Sequence, residues 1–160
     1  IAIVGDSAGG GLALATLINL REESIPQPTC GVLISPWLDL SSSGHSITKN
    51  ENLDPIIDKK TLSFFGSTYL GGALATTPLA SPLFADLHDL PPLFLQVGEM
   101  EMLLDDSLRL KQRVATLNTE LKLKVWEKMI HVWHIFAPIL PEGQAAIEEI
   151  AVYIKSAMKV

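Results

Sequence analysis

Apolar and polar positions follow two alternating regimes along this chain. Four short runs, Ile1–Val4, Cys30–Ser35, Leu93–Val97 and the more alternating Leu121–Trp126, are mostly apolar and bounded by turn-forming residues. Runs of that length and continuity predict parallel strands covered on both faces. Each is followed by a stretch with helical spacing. Ala8–Leu20 is rich in Ala and Leu and ends before the Pro26/Pro28 breaker. Asp58–Tyr69 carries Leu62, Phe65 and Tyr69 on one face and stops at Gly71-Gly72. Asp105–Leu117 turns Leu108, Val114 and Leu117 towards a core, with Asp105 and Asp106 near its start, where the helix dipole favours negative charge and carboxylates cap. Gln144–Met158 sets Ile147, Ile150, Ala151 and Ile154 on a core-facing stripe.

Strand followed by helix, repeated, predicts an α/β protein with a mostly parallel sheet of about four strands and flanking helices. Two segments interrupt the alternation. Leu38 to Asp58 is long and polar and is expected to leave the sheet as an exposed excursion; Thr76 to Pro92 carries four prolines and is expected to be mostly loop. No internal repeat is present, and residues 1–160 read as one domain or part of one. The opening Ile-Ala-Ile-Val lies inside a strand-like run from its first residue, which points to further sequence upstream.

Composition narrows the function classes. Of 160 residues 48% are hydrophobic and 19% charged, enough apolar material for one core and too much for a disordered segment. Lys and Arg number 12 against 18 Asp and Glu, a net charge of −6 with no basic cluster, so nucleic acid is not an expected partner. No apolar run reaches the roughly 18 residues of a membrane-spanning helix. The lone Cys30 excludes a disulfide framework and a multi-cysteine zinc site, and is compatible with a reducing compartment such as the cytoplasm.

The strongest chemical signal is Gly5-Asp6-Ser7-Ala8-Gly9 between the first strand and the first helix. In a G-x-S-x-G elbow the turn is so sharp that the serine projects above the sheet, and glycine two residues away on either side avoids a clash. Ser7 is then the candidate nucleophile, and the N–H of Ala8 can donate to an oxyanion. A phosphate loop fits poorly: the second glycine of G-x-G-x-x-G is missing, no G-K-[ST] follows, and Asp6 would repel a phosphate. A serine hydroxyl needs a base, and the base needs an orienting acid. His45 and His88 sit in polar loops. His131 is nearer than His134 to the end of the last strand, where active-site groups of parallel sheets gather, which leaves His134 a packing role. Glu99, Glu101 and Asp105, all after Leu93–Val97, are the candidates for the acid.

These motifs carry a family resemblance over essentially the whole chain. Gly5-Asp6-Ser7-Ala8-Gly9-Gly10, Ile34-Ser35-Pro36-Trp37-Leu38-Asp39-Leu40, Ser81-Pro82-Leu83 with Leu90-Pro91-Pro92, and Met129-Ile130-His131-Val132-Trp133-His134 resemble segments of the hormone-sensitive-lipase-like esterases of the α/β-hydrolase fold. The resemblance implies a serine hydrolase of carboxylic esters, short to medium acyl or acetyl, that needs no metal or cofactor. It implies a triad of Ser7, His131 and Glu101, where the family more often has Asp, with Asp105 as the alternative acid. A substrate pocket lined by Trp37 and Leu38 would follow, although single aromatics are more often core. The family's upstream strands, cap and H-G-G-G oxyanion loop have no counterpart in residues 1–160, so these are expected to be the C-terminal part of a single catalytic domain. A truncated, non-catalytic binding module is the alternative.

Overall fold

The computed structural model describes residues 1–158. Strands β1 (Ala2–Asp6), β2 (Cys30–Ile34), β3 (Leu93–Gly98) and β4 (Leu121–Trp126) form one sheet in sequence order, every neighbouring pair parallel. Helices α1 (Ala8–Glu22), α2 (Ser46–Lys49), α3 (Lys59–Leu70), α4 (Leu104–Val114) and α5 (Pro141–Met158) complete the order. The predicted strands and long helices are all present. β1 starts and ends later than the apolar run because Gly5 and Asp6 stay in register with Leu33 and Ile34.

Side chains alternate across each strand, and the two faces build two cores. Leu33 and Leu95 point into a core with Leu14, Leu17 and Ile18 of α1 and Leu110 and Val114 of α4. Val32 and Phe94 point the other way, against Ile150, Tyr153 and Ile154 of α5. A third cluster, Trp37, Ile47, Leu62, Met102 and Leu103, joins the connections after β2 and β3 to α3.

Helical spacing misassigned several core positions. Phe65 and Tyr69 of α3 are exposed, because this helix rests on the sheet side only through Leu62 and through Gly66 against the Trp37 ring. Leu108, Leu117 and Ile147 are also exposed; Leu110 and Ala146 take the inward positions. The Pro-rich segment is loop, as expected, apart from one turn of 3₁₀ helix at Pro82–Phe84, yet Leu83, Leu87 and Leu90 are buried within the main core. Its carbonyls find side-chain donors: Arg113 reaches Leu83 and Ala85, Arg21 reaches Asp86 and His88, and Thr119 donates to Leu87. Such partners let irregular backbone lie against a core.

The polar segment after Leu38 leaves the sheet and is largely exposed, as its composition suggests, but it is anchored by buried polar side chains. Asp39, Ser46, Asn50 and Asp54 are buried; Asp39 accepts from Ser41, Ser43 and Arg109, and the other three serve backbone groups elsewhere. Ser46, Asn50 and Asp54 recur at intervals of one helical turn and all meet the connection after β3. Ser46 Oγ donates to Met102 O and accepts from Asp105 N–H, Asn50 Nδ2 donates to the carbonyls of Glu99 and Glu101, and Asp54 accepts from Met102 N–H. A strap of buried polar side chains thus fixes the loop that carries Glu101.

Candidate active site

All four strands run the same way, so their carboxyl ends share one rim of the sheet, where open α/β sheets bind ligands. Ser7 follows β1 directly, Ser35 follows β2 directly, Glu101 lies just beyond β3, and His131 lies just beyond β4.

Ser7 occupies the hinge between β1 and α1 with φ 52° and ψ −122°, a conformation that L-residues rarely adopt. The strain is held by neighbours at and after the end of β2 and by the first turn of α1. Ser7 N–H donates to Ile34 O at 2.9 Å, and Ser7 O accepts from Trp37 N–H at 2.9 Å and Gly10 N–H at 3.0 Å. A Cβ on Gly5 would run into the Gly9 carbonyl, with Gly9 C at 2.5 Å and Gly10 N at 2.9 Å. At Gly9 itself the only neighbour of a Cβ would be Asp6 Oδ1 at 4.0 Å. The elbow therefore needs glycine before the serine, and the second glycine of the motif supplies a close carbonyl instead. Gly10 and Gly11, in the first turn of α1, also need to be bare, because the helix presses there on Pro36 and the Trp37 carbonyl.

Gly5→Ala is expected to destabilise the fold by about 3 kcal/mol, since the obstacle is backbone that has no side chain to move aside. Gly9→Ala should instead be neutral or stabilising by up to about 1 kcal/mol, the helix propensity of alanine over glycine. Urea unfolding of the two variants separates the cases; equal losses would refute this reading of the elbow.

The rim residues form a continuous relay. Ser7 Oγ is 2.9 Å from His131 Nε2, and His131 Nδ1 is 3.0 Å from Glu101 Oε2. The other carboxylate oxygen, Oε1, accepts from Ser35 Oγ at 2.6 Å and from Gly98 N–H at 2.5 Å. Glu101 and His131 are buried. Burial pushes the Glu101 pKa above the usual carboxylate range, against the donors His131, Ser35 and Gly98, each of which favours the ionised form. Two loops meet at Gly98, where a Cβ would collide with the Met129 carbonyl. Met100 N–H also donates to that carbonyl at 3.0 Å, which brings the acid loop alongside the histidine loop.

The remaining sequence candidates lie elsewhere. Asp105 Oδ2 accepts from Ser46 N–H at 2.9 Å and so ties down the start of α2, away from His131. Asp106 does not cap its own helix either. It is buried and accepts from Leu38 N–H at 2.8 Å and Asp39 N–H at 3.0 Å. Burial, together with the nearby charge of Asp39, raises its pKa to about 7. Asp39 escapes that fate: burial opposes its ionisation, but Ser41, Ser43 and Arg109 donate to it and hold its pKa below the ordinary value. Glu99 accepts from Lys128 N–H on the surface. His134 Nε2 meets Gln96 Oε1 at 2.8 Å, and burial lowers its pKa to about 4, so this histidine packs as a neutral ring. His45 is exposed, and His88 pairs with Asp86 at the surface.

Trp37 and Leu38, expected at a substrate pocket, are core residues instead. Leu38 has no exposed surface to offer a ligand, and Trp37 packs in the third cluster with its indole N–H on Asp39 O at 3.1 Å. Ala8 opens α1, so its N–H has no helical carbonyl one turn behind it. Among the described residues no cluster of three or more His, Cys, Asp or Glu could hold a metal ion, and no helix is long and apolar enough to cross a membrane. Sequence reasoning missed the roles of Ser35 and Asn50, and it read Asp106 as a helix cap rather than as the acceptor for Leu38 and Asp39 N–H. Ser35 appeared only within a segment that carries the family resemblance.

A strand–serine–helix elbow on a parallel sheet, with a carboxylate after the third strand and a histidine after the fourth, has the pattern of the α/β-hydrolase class. The chain belongs to the family described as alpha/beta hydrolase fold, which matches residues 1–135. An acetyl-hydrolase of Streptomyces hygroscopicus is 41% identical over 98% of this chain and 52% of its own length. An esterase of Acinetobacter venetianus is 34% identical over the same shares. The solved structure of an esterase from the bacterial hormone-sensitive lipase family superposes with a TM-score of 0.96 at 47% identity, covering 98% of this chain and 53% of that one. The chain spans about half the length of the curated relatives it matches.

Proposed function

We propose that this chain carries the catalytic residues of a serine hydrolase acting on carboxylic esters, and that residues 1–160 form the C-terminal part of a single hydrolase domain. The observation that carries the reading is the unbroken relay from Ser7 through His131 to Glu101 at the rim of the sheet. Ser7 Oγ attacks the acyl carbon while His131 Nε2 takes its proton, and Glu101 holds the Nδ1–H and stabilises the imidazolium. The carbonyl oxygen becomes an oxyanion, to which Ala8 N–H donates from the positive end of α1. The tetrahedral intermediate collapses as His131 returns the proton to the departing alcohol. Water then attacks the acyl-enzyme by the same steps and frees the acid.

An acetyl or other short acyl group is the substrate class, in keeping with the acetyl-hydrolase among the relatives. The intact relay supports catalysis over a binding module, since a binding role does not need a proton path to the serine.

The test is turnover of p-nitrophenyl acetate, butyrate and longer esters by the full-length protein. Hydrolysis of the acetyl and butyryl esters at kcat/KM above the long-chain ones is expected. A protein that hydrolyses none of them, while a serine-reactive organophosphate leaves Ser7 unlabelled, would not be an esterase of this kind.

A further inference from the structure

Through its side chain Ser35 joins the loop that carries Glu101 to the loop that carries His131. It stands directly after β2, fully buried, and its backbone N–H continues the ladder to Gln96 O at 2.7 Å. Its hydroxyl donates to Glu101 Oε1 at 2.6 Å and accepts from Val132 N–H, next to His131, at 3.2 Å. One hydroxyl thus uses its single proton on the carboxylate and a lone pair on the histidine loop. The carboxylate oxygen it touches is the one His131 does not use, so Oε2 is left turned towards Nδ1.

The backbone indicates that this contact is specified. Ser35 lies at φ 45° and Val132 at φ 48°, both left-handed, and for β-branched Val132 that region is a strong outlier. Ser7, at φ 52°, makes a third. The Ser35 hydroxyl bonds the strained Val132 directly, and the strand that Ser35 ends accepts the Ser7 N–H through Ile34. Residues in such conformations persist only where their surroundings over-determine them.

We propose that Ser35 is a positioning residue of the hydrolytic site, whose hydroxyl holds the Glu101 carboxylate ionised and aligned while it pins the loop that presents His131. The proposal rests on the esterase reading for its catalytic consequence, but its physical core is the state of the His131–Glu101 pair. His131 is the titratable side chain bonded to Glu101; Ser35 and Gly98 are its uncharged donors, and the Asn50 amide touches only its backbone carbonyl. A donor to the carboxylate favours the pair's net negative form most. Its removal therefore raises the apparent pKa at which the pair takes up its first proton, whichever ring or carboxyl receives it.

The experiment compares wild type, Ser35→Ala, Ser35→Gly and Ser35→Cys in the full-length protein. Glycine relieves the left-handed backbone while deleting the hydroxyl, alanine deletes the hydroxyl alone, and cysteine keeps a weak donor. Two readouts are taken: the ¹⁵N shifts of the His131 ring across pH, and the pH profiles of kcat and KM on p-nitrophenyl acetate. Ala and Gly variants are expected to move the pair's titration upward by about one unit. They should lower kcat about ten- to a hundredfold with KM nearly unchanged, the fold-change that loss of a bond to a charged group entails. Cys should fall between them and wild type, and it carries the test if the other two do not fold. Folded variants whose His131 titration and acidic limb stay at the wild-type position would overturn the proposal. A shifted titration in a protein whose wild type turns over no ester would instead overturn the esterase reading and leave Ser35 as the holder of the pair.

Discussion

Ser7→Ala in the full-length protein should lower kcat on p-nitrophenyl acetate by about a millionfold, the scale seen when the nucleophile of a serine hydrolase is deleted. The size of the effect follows from what remains. Ala8 N–H, His131 and Glu101 stay in place, but without Oγ no acyl-enzyme forms, and water must attack the ester directly. Residual rates about 10³–10⁴ above the uncatalysed reaction are the most that oriented donors and binding supply. The fold should be indifferent to the change. Alanine meets the same left-handed backbone as serine, and the bonds that hold position 7 come from its main-chain N–H and C=O. Among the described residues the Ser7 side chain bonds only His131 Nε2. The loss should therefore fall on kcat, with thermal unfolding unmoved. Mass spectrometry after an organophosphate gives the second measurement: wild type gains one adduct on Ser7 and the variant gains none. Activity within about a hundredfold of wild type, with the adduct on another residue, would place the nucleophile elsewhere.

The sequence made the backbone of this site legible and left its support hidden, for a definable reason. Strands and long helices announce themselves through local periodicity, because each buries its own apolar face. The elbow is equally local: Gly5, Ser7 and the helix that follows are contiguous. His131 could be preferred over His134 from its distance to the end of β4 alone. Glu101 and Asp105 could not be separated on the same grounds, since both follow β3 and both are carboxylates. What separates them is the partner each finds, Ser46 for Asp105 and His131 for Glu101, and those partners are remote in sequence. The same holds for the segment after Leu38. Ser46, Asn50 and Asp54 look like solvated loop by composition, yet they are buried because the backbone of Glu99, Glu101, Met102 and Asp105 needs their donors and acceptors. Phe65 and Tyr69 are the converse error. Periodicity places them on one face of α3, but it says nothing about whether that face has anything to rest on.

Glu101→Gln should cost about 10⁴-fold in kcat although it is nearly isosteric, and the reason lies in the two donors on Oε1. Ser35 O–H and Gly98 N–H both point at that atom. A glutamine can satisfy them only by placing its amide oxygen there, which turns its NH₂ towards His131 Nδ1. The ring must then accept at Nδ1, and its proton moves to Nε2, where it faces Ser7 Oγ. In that tautomer His131 cannot take the serine proton, so the relay is intact in shape and reversed in direction. KM should change little, because no substrate contact is lost. The histidine ring offers an independent check, since the ¹⁵N pattern of the variant should show Nε2 protonated where wild type shows Nδ1. Glu101→Asp makes the control. A shorter carboxylate keeps the acceptor character at Nδ1 and gives up only reach, so it should retain far more activity than the amide. If Gln and Asp variants lost activity equally, the geometry of position 101 would matter and its charge and proton-accepting character would not. The tautomer argument would then fail. The donors on Oε1 thus make the effect of the amide predictable, because they leave it only one orientation.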